Sequence, residues 1–542
     1  MRFQDKLREV SQSELWEEYC GFLELTVEEF MKIQKRLLRE QMELWGKSGI
    51  GRRILGGRIP ENIDEFRRMV PLTTYEDYAD MLLQKEDSVL PAKPILWIQT
   101  TWEGGRHPIK VAPYTKSMLD TYKDNMMACF MLATSSQKGQ FDLSPRDHML
   151  YALAPLPYAT GLLPVLLGEE MDVEFLPPVK EAEKMSFSER NKKGFKMGMG
   201  KGIEYFFGLG SVTYFVSRSL AAMQKSSSGK GGLSKLSSIS PKMLLRLIRA
   251  RGRCKEENRE LMPKDLFQLK GFMCAGTDNK CYKDDLEKLW GIRPMEIFAG
   301  TEPTCIGTET WSRNGMYFFP DACFYEFIPE REMERNLADP LYVPHTLLMD
   351  EVSPGEKYEL VITVLKGGAF ARYRVGDVYR CEGIGNKEEG TRIPRFSYVD
   401  RIPTIIDIAG FTRITEHSIS SAVKLSGLAI EEWFAQKEFN EENHPLLHIY
   451  VELKRGQMIS SAVSVQVIRD HLSVYFKYVD QDYTDLKKIL GMDPLKITIL
   501  KTGTFQNYES KFGGLLRRIN PPEYEVSRLL QEQFSVAPDG RY

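Results

Sequence analysis

The sequence predicts an α/β protein, with a large N-terminal domain of mixed sheets and a β-rich lobe over residues 1–403 and a small α+β domain over 404–542. Three observations predict it. Short apolar runs alternate with helical stretches from about residue 93. From 315 closely spaced strands separated by turns take over. After about 404 a strand–helix–strand rhythm begins. Strands alternating with helices argue for parallel pairing, and strands joined by short turns for an antiparallel lobe.

Residues 1–45 set Leu15, Trp16, Tyr19, Phe22 and Leu23 among charged residues at helical spacing, which predicts one or two amphipathic helices. The Gly- and Arg-rich stretch 46–58 reads as a loop. MLYALAP (149–155), MDVEFLPP (171–178), LKGFMCAG (269–276) and PMEIFAG (294–300) read as buried strands. Helices are expected over 116–133 and 282–290. GMYFFP, ACFYEFIP, KYELVITV, AFARYRVGDVYR and FSYVDR make up the antiparallel lobe. In the last domain, helices near 415–424 and 460–477 alternate with strands at 446–453 and 495–500. The Ser/Gly/Lys-rich patch at 224–240 reads as a mobile loop.

At 542 residues, 42% hydrophobic and 27% charged, the chain is neither wholly disordered nor collagenous, and it can bury a sizeable core. Its eight cysteines lack any CxxC pair and read as reduced thiols. No apolar run reaches the ~18 residues of a membrane span. The opening MRFQDKLREVSQSELWEEYC is too charged for a secretory signal, so a cytoplasmic setting is expected. The net charge of −2 gives no general pull toward nucleic acid, but it hides an asymmetry. Residues 180–255 hold 17 Lys and Arg against 4 Asp and Glu, and the remainder 56 against 71.

Three motifs are candidates for chemistry. In QTTWEGGRHPIKVAPYT (99–115), hydroxyls, glycines and a lysine are what a phosphate-binding loop uses, although an ordinary strand–helix turn has the same composition. In IFAGTEPTCIGTETW (297–311), the Thr301 hydroxyl suits a phosphate oxygen and the Glu302 carboxylate a Mg²⁺ ion, while Thr-Glu-Pro also suits a helix start. In GGAFARYRVGDVYRC (367–381), strand alternation puts Arg372 and Arg374 on one face, and Asp377 after the Gly turn suits ribose hydroxyls. A solvated sheet edge is the plain alternative. His444 and His448 have a metal-like spacing but flank a proline and enter a strand, so a zinc helix is not expected. Without G-x-S-x-G, a serine hydrolase is not expected either.

The order and spacing of these motifs resemble the core motifs of the adenylate-forming superfamily of acyl-CoA synthetases, luciferases and peptide-synthetase adenylation domains. Within it the chain is most similar to the plant auxin-responsive acyl-acid amido synthetase family, whose members join auxin or jasmonate to amino acids. PLTTYEDYADML (71–82), FAGTEPTCIG (298–307), FPDACFYEFIP (319–329), SPGEKYELVITVLKGGAFARYRVGDVYR (353–380) and KTGTFQNYESKFGG (501–514) carry the resemblance. It covers roughly 65–180 and 265–520, leaving 184–262 as a basic insertion.

The resemblance implies an ATP- and Mg²⁺-dependent ligase that makes an acyl-adenylate from a small carboxylic acid and passes the acyl group to an amine. A thioester-forming synthetase and a non-catalytic relative that binds an acyl ligand or partner are the alternatives. It implies that Thr100, Thr101, Gly104, Gly105 and Lys110 line the phosphate loop, and that Phe298, Ala299 and Gly300 lie along the adenine. Thr301 would touch the α-phosphate and Glu302 the Mg²⁺. Tyr373 would lie beside the base, Asp377 on the ribose and Arg401 at a hinge near it. Lys110, Thr301 and Lys511 would be the catalytic set, and Tyr158 and Gly161 would shape the acyl pocket. A mobile C-terminal domain is implied as well. The chain departs from the family pattern at Trp102 and Glu103 in the phosphate loop and at Asp407 in the hinge segment. In GGLLRRINPP (513–522), Lys511 precedes the glycines and Arg517 or Arg518 stands where a lysine is expected.

The basic segment ends in PKMLLRLIRARGRCK, where Met243, Leu244, Leu245, Leu247 and Ile248 alternate with Lys242, Arg246, Arg249, Arg251 and Arg253. This predicts a basic helix with an apolar side. The segment 184–255 is therefore expected either to pack on the core or to make a salt-sensitive contact with anionic lipid or an acidic acyl carrier.

Overall fold

The computed structural model describes residues 1–100, 109–151, 153–185, 187–226, 240–410, 412–454, 461–479 and 494–535. The chain divides into two compact units, one running to Val399 and one beginning at Asp400.

In the first unit a short hairpin, β1 (Leu96–Gln99) and β2 (Val111–Tyr114), precedes an eleven-stranded sheet. Its parallel half comprises β3 (His148–Tyr151), β4 (Glu174–Leu176), β5 (Tyr205–Leu209), β6 (Gly271–Ala275) and β7 (Met295–Gly300). Its other half comprises β8 (Thr304–Thr308), β9 (Met316–Phe318), β10 (Cys323–Pro329), β11 (Lys357–Val364), β12 (Tyr373–Asn386) and β13 (Thr391–Arg401). The spatial order is β10-β11-β12-β13-β9-β8-β7-β6-β5-β3-β4. Pairing turns antiparallel where β7 meets β8. That switch falls at the Thr301–Pro303 turn, so the motif there joins the two halves of the sheet. The change of rhythm read from the sequence is this change of pairing.

The helix Lys116–Ala133 occupies its expected place and is buried throughout its last nine residues, Asn125–Ala133. It packs against β6 and β8, bringing Cys129 Sγ to 3.9 Å from Cys305 Sγ. The N-terminal region forms three helices, Phe3–Glu9, Gln12–Cys20 and Val27–Gly46, the last two started by capping boxes at Ser11 and Thr26.

Three expectations need correction. The stretch 46–58 holds a helix, Gly49–Leu55, capped by Ser48. Its glycines serve close packing: a Cβ at Gly51 would lie 1.9 Å from the Trp45 carbonyl oxygen. The plain alternative for 99–115, an ordinary strand–helix turn, does not hold, because Val111–Tyr114 returns antiparallel to β1 before the helix begins. The supposed insertion supplies β5, an inner strand between β3 and β6, followed by the helix Gly210–Ser226. Tyr205, Phe206 and Phe207 are buried there, and that apolar run was the signal the surrounding lysines obscured. Most of the Ser/Gly/Lys patch, 227–239, lies outside the described residues.

The second unit begins with a hairpin, β14 (Ile405–Ile408) and β15 (Thr412–Thr415), and the helix Glu416–Ser426. A three-stranded sheet follows, with β16 (Ile430–Phe439) antiparallel and β18 (Leu495–Leu500) parallel to the central β17 (Pro445–Leu453). The helices Ser461–Val479, Thr504–Phe512 and Glu523–Ser535 complete it. Among the described residues no helix is long and apolar enough to cross a membrane.

Candidate active site

Three segments distant in sequence meet at one point. Lys110, the residue before β2, puts Nζ 3.4 Å from Glu302 Oε1 and donates to the Tyr373 hydroxyl at 3.4 Å. The Tyr373 hydroxyl donates to the same Glu302 oxygen at 2.7 Å. Each residue comes from one of the three motifs, and the fold gathers them. Glu302 projects from the turn between β7 and β8, and Tyr373 opens β12. Glu302 is 7% and Tyr373 1% exposed, so the carboxylate is largely withdrawn from water and compensated by an ammonium and a phenol.

The supports of this triad come from residues to which no local pattern in the sequence gives a role. Thr73 pairs with Tyr373 through two backbone bonds of 2.9 Å, to the Arg372 carbonyl and from the Arg374 N–H. The Tyr78 hydroxyl accepts from the Ala371 N–H at 3.0 Å. The Tyr75 hydroxyl accepts from the Val111 N–H at 2.7 Å, and the Lys110 ammonium lies 5.8 Å from the Tyr75 ring centroid. PLTTYEDYADML thus clamps the β1–β2 hairpin and the start of β12 together. From the other side the Tyr114 hydroxyl donates to the Thr301 carbonyl at 2.8 Å. Burial pushes the Tyr114 phenol well above its ordinary range, so it stays a neutral donor.

The remaining expected residues distribute as follows. Thr100 is buried, and its hydroxyl accepts from the Lys110 N–H at 3.0 Å, closing the loop base. Thr101, Gly104 and Gly105, with Trp102 and Glu103, lie outside the described residues. Phe298, Ala299 and Gly300 are half-buried along the end of β7, and Phe298 meets Tyr379 edge-on at 5.5 Å. Thr301 and Asp377 are buried. Tyr158 bridges Gln99 at the end of β1, so it stands beside the loop. Gly161 is a packing glycine: a Cβ would lie 2.2 Å from the Leu156 nitrogen.

The paired arginines are structural. Arg372 has φ of 44°, which breaks strand alternation, and its guanidinium binds Glu326 at 2.9 and 3.0 Å. Arg374 binds Glu359 at 2.6 and 2.7 Å. Both carboxylates are fully buried, on β10 and β11, so neither arginine belongs to a solvated edge.

The second unit holds the other candidates. Arg401, half-buried, follows Asp400, whose carboxylate is raised by burial and lies 3.2 Å from Lys437. Asp407 is fully buried and accepts from the Gly410 N–H at 2.8 Å, fastening the β14–β15 turn. Lys511 pairs with Glu532 at 2.6 Å, Arg518 pairs with Glu432 at 2.8 Å, and Arg517 donates to the Asn520 carbonyl at 2.6 Å.

Among the described residues no three His, Cys, Asp or Glu side chains gather to hold a metal by themselves. A single acceptor-only carboxylate such as Glu302 fits an ion that is bound jointly with phosphate oxygens, the usual Mg²⁺ arrangement.

Residues 20–151 match the GH3 family N-terminal domain and 316–401 the GH3 family central domain. A probable indole-3-acetic acid-amido synthetase of Oryza sativa subsp. japonica, GH3.1, is 42% identical over 236 residues, 41% of this chain and 36% of that protein. A jasmonoyl–L-amino acid synthetase of Nicotiana attenuata, JAR4, is 28% identical over 203 residues, 36% of this chain and 32% of that protein. The chain thus matches about a third of the length of these relatives. Among solved structures, the GH3.15 acyl acid amido synthetase in complex with 2,4-DB superposes with a TM-score of 0.51 at 15% identity, over 93% of both chains. A 2-hydroxyisobutyryl-CoA ligase gives 0.54 at 15% identity, over 88% of this chain and 87% of the other. At these identities the likeness is one of fold alone.

Proposed function

We propose that the chain, whose residues 20–151 and 316–401 match the N-terminal and central domains of the GH3 family, is an ATP-dependent acyl-acid amido synthetase. In the first half-reaction a carboxylate oxygen of the acid attacks the α-phosphorus of ATP, the bond to the bridging oxygen breaks, and pyrophosphate leaves. In the second an amine nitrogen, as of an amino acid, attacks the acyl carbon, and AMP leaves with the C–O bond electrons while the amine sheds a proton. The observation that carries this reading is the meeting of Lys110, Glu302 and Tyr373 from three separate motifs.

The residues suit these roles. Lys110 supplies positive charge where negative charge gathers on the phosphoryl oxygens. Glu302 would hold Mg²⁺, which when bound neutralises phosphate charge. Tyr373 fixes the carboxylate's orientation, and Tyr114 fixes the Thr301 backbone, leaving the Thr301 hydroxyl for the α-phosphate. Phe298, Ala299 and Gly300 are assigned to the adenine side, Asp377 to the ribose, and Tyr158 and Gly161 to the acyl side. Arg401 and Lys511 belong to the second unit, which is assigned the swing between half-reactions. A cytoplasmic setting is part of the proposal and is in keeping with eight cysteines that form no disulfide.

The test is pyrophosphate release across a panel of small carboxylic acids, followed by amino acids or CoA offered to the preformed adenylate. Conjugation to an amino acid supports the proposal. Conjugation to CoA alone replaces it with a thioester synthetase.

A further inference from the structure

Between Glu204 and Glu256 the sequence holds ten Lys and Arg and no Asp or Glu. The helix Pro241–Glu256 gives this charge a shape. Met243, Leu247, Ala250 and Cys254 are buried on one side, the first three packed into the core around Trp290. The opposite ridge carries Leu245 and Ile248, which are 55% and 59% exposed. A helical wheel places Leu245, Ile248 and Gly252 along the outermost line, with Arg249 and Arg253 on one flank and Arg251 and Lys255 on the other. All four cations are exposed, and among the described residues none has a carboxylate within ion-pair reach. Nearby Arg259, by contrast, is paired with Asp265 at 2.7 Å.

This pattern corrects the expectation of a single apolar side. The helix has two: one packs on the core, and a narrower one faces outward between rows of cations. A folded domain gains nothing from the outer pair of aliphatic residues. An apolar ridge between cation rows does match a bilayer surface, where aliphatic side chains enter the acyl boundary and cations meet headgroup phosphates and carboxylates.

We infer that the outer face of helix Pro241–Glu256 docks on an anionic lipid surface, with Leu245 and Ile248 inserted and Arg249, Arg251, Arg253 and Lys255 on the headgroups. The inference is independent of the catalytic proposal.

The test is co-sedimentation of the full chain with phosphatidylcholine vesicles, with and without about a third phosphatidylserine, at low and high salt. Binding to the anionic vesicles alone, reversed by salt, is expected. Each cation near an anionic surface strengthens binding roughly fivefold, so Arg249→Gln/Arg251→Gln/Arg253→Gln lowers the partition coefficient about 100-fold. Leu245→Ser/Ile248→Ser lowers it as well, and this separates insertion from charge attraction alone. Circular dichroism and thermal melting confirm that both variants fold. Equal binding to neutral vesicles, no binding to anionic ones at low salt, or unchanged binding by the triple variant overturns the inference. So does capture by an acidic acyl carrier protein without any vesicle binding, which identifies a protein partner instead.

Discussion

The Tyr373 hydroxyl reaches Glu302 Oε1 at 2.7 Å across 71 residues of chain, and this bond ties the start of β12 to the turn where the sheet changes from parallel to antiparallel. Lys110 closes the triangle from a third segment. The account of the site rests on these three side chains acting together.

Tyr373→Phe keeps the buried ring and deletes the donor. A hydrogen bond to a charged acceptor contributes ~1.5–3 kcal/mol, so the adenylation rate is expected to fall roughly 10- to 100-fold. ATP–pyrophosphate exchange measures this. An unchanged rate in a folded variant would detach Tyr373 from the chemistry.

Glu302→Gln keeps the shape and removes the charge. The expected result is slower adenylation and a Mg²⁺ requirement raised about tenfold or more, because a neutral amide is a poor ligand for a hard cation. A Mg²⁺ titration of pyrophosphate release reads both. A wild-type titration curve would remove Glu302 from the metal site.

Arg372→Met leaves the buried Glu326 without its bidentate partner, with only Arg67 at 3.4 Å still beside it. Breaking such a pair costs ~3–5 kcal/mol, and the double variant Arg372→Met/Glu326→Leu should recover part of that loss. Denaturant unfolding decides the matter. Unchanged stability with lost nucleotide binding would return Arg372 to the site.

In the second unit, burial raises the Glu438 carboxyl, but bonds from Gln436, His448 and Tyr450 outweigh it and lower the group to about 2. A carboxyl depressed on folding contributes stability that is complete above its ordinary value of 4.5 and is lost as pH falls toward about 2. Glu438→Gln should therefore flatten the fall of the melting temperature between about pH 5 and pH 3. An unchanged slope would show that other carboxylates control acid unfolding.

The sequence made the sheet's change of character and the three motifs legible, because strand spacing and glycine-flanked hydroxyl or acid residues are local patterns. What it hid was relational. Thr73, Tyr75 and Tyr78 belong to the stretch PLTTYEDYADML, yet their partners lie near residues 111 and 371. No local periodicity reveals such pairs. Arg372 and Arg374 looked like one face of a strand, because a positive φ at Arg372 cannot be read from an arginine. Strand β5 was missed for a different reason: a five-residue apolar run among lysines looks like surface until its neighbours β3 and β6 are in place.

The most direct measurement is ATP–pyrophosphate exchange by the purified chain over a broad panel of carboxylic acids, with calorimetry of ATP binding alongside. The proposed adenylation demands exchange that requires both an acid and Mg²⁺, and that falls at least about tenfold in Lys110→Met while the melting temperature holds. Silence across the panel together with no ATP binding, or full exchange in Lys110→Met, would contradict it.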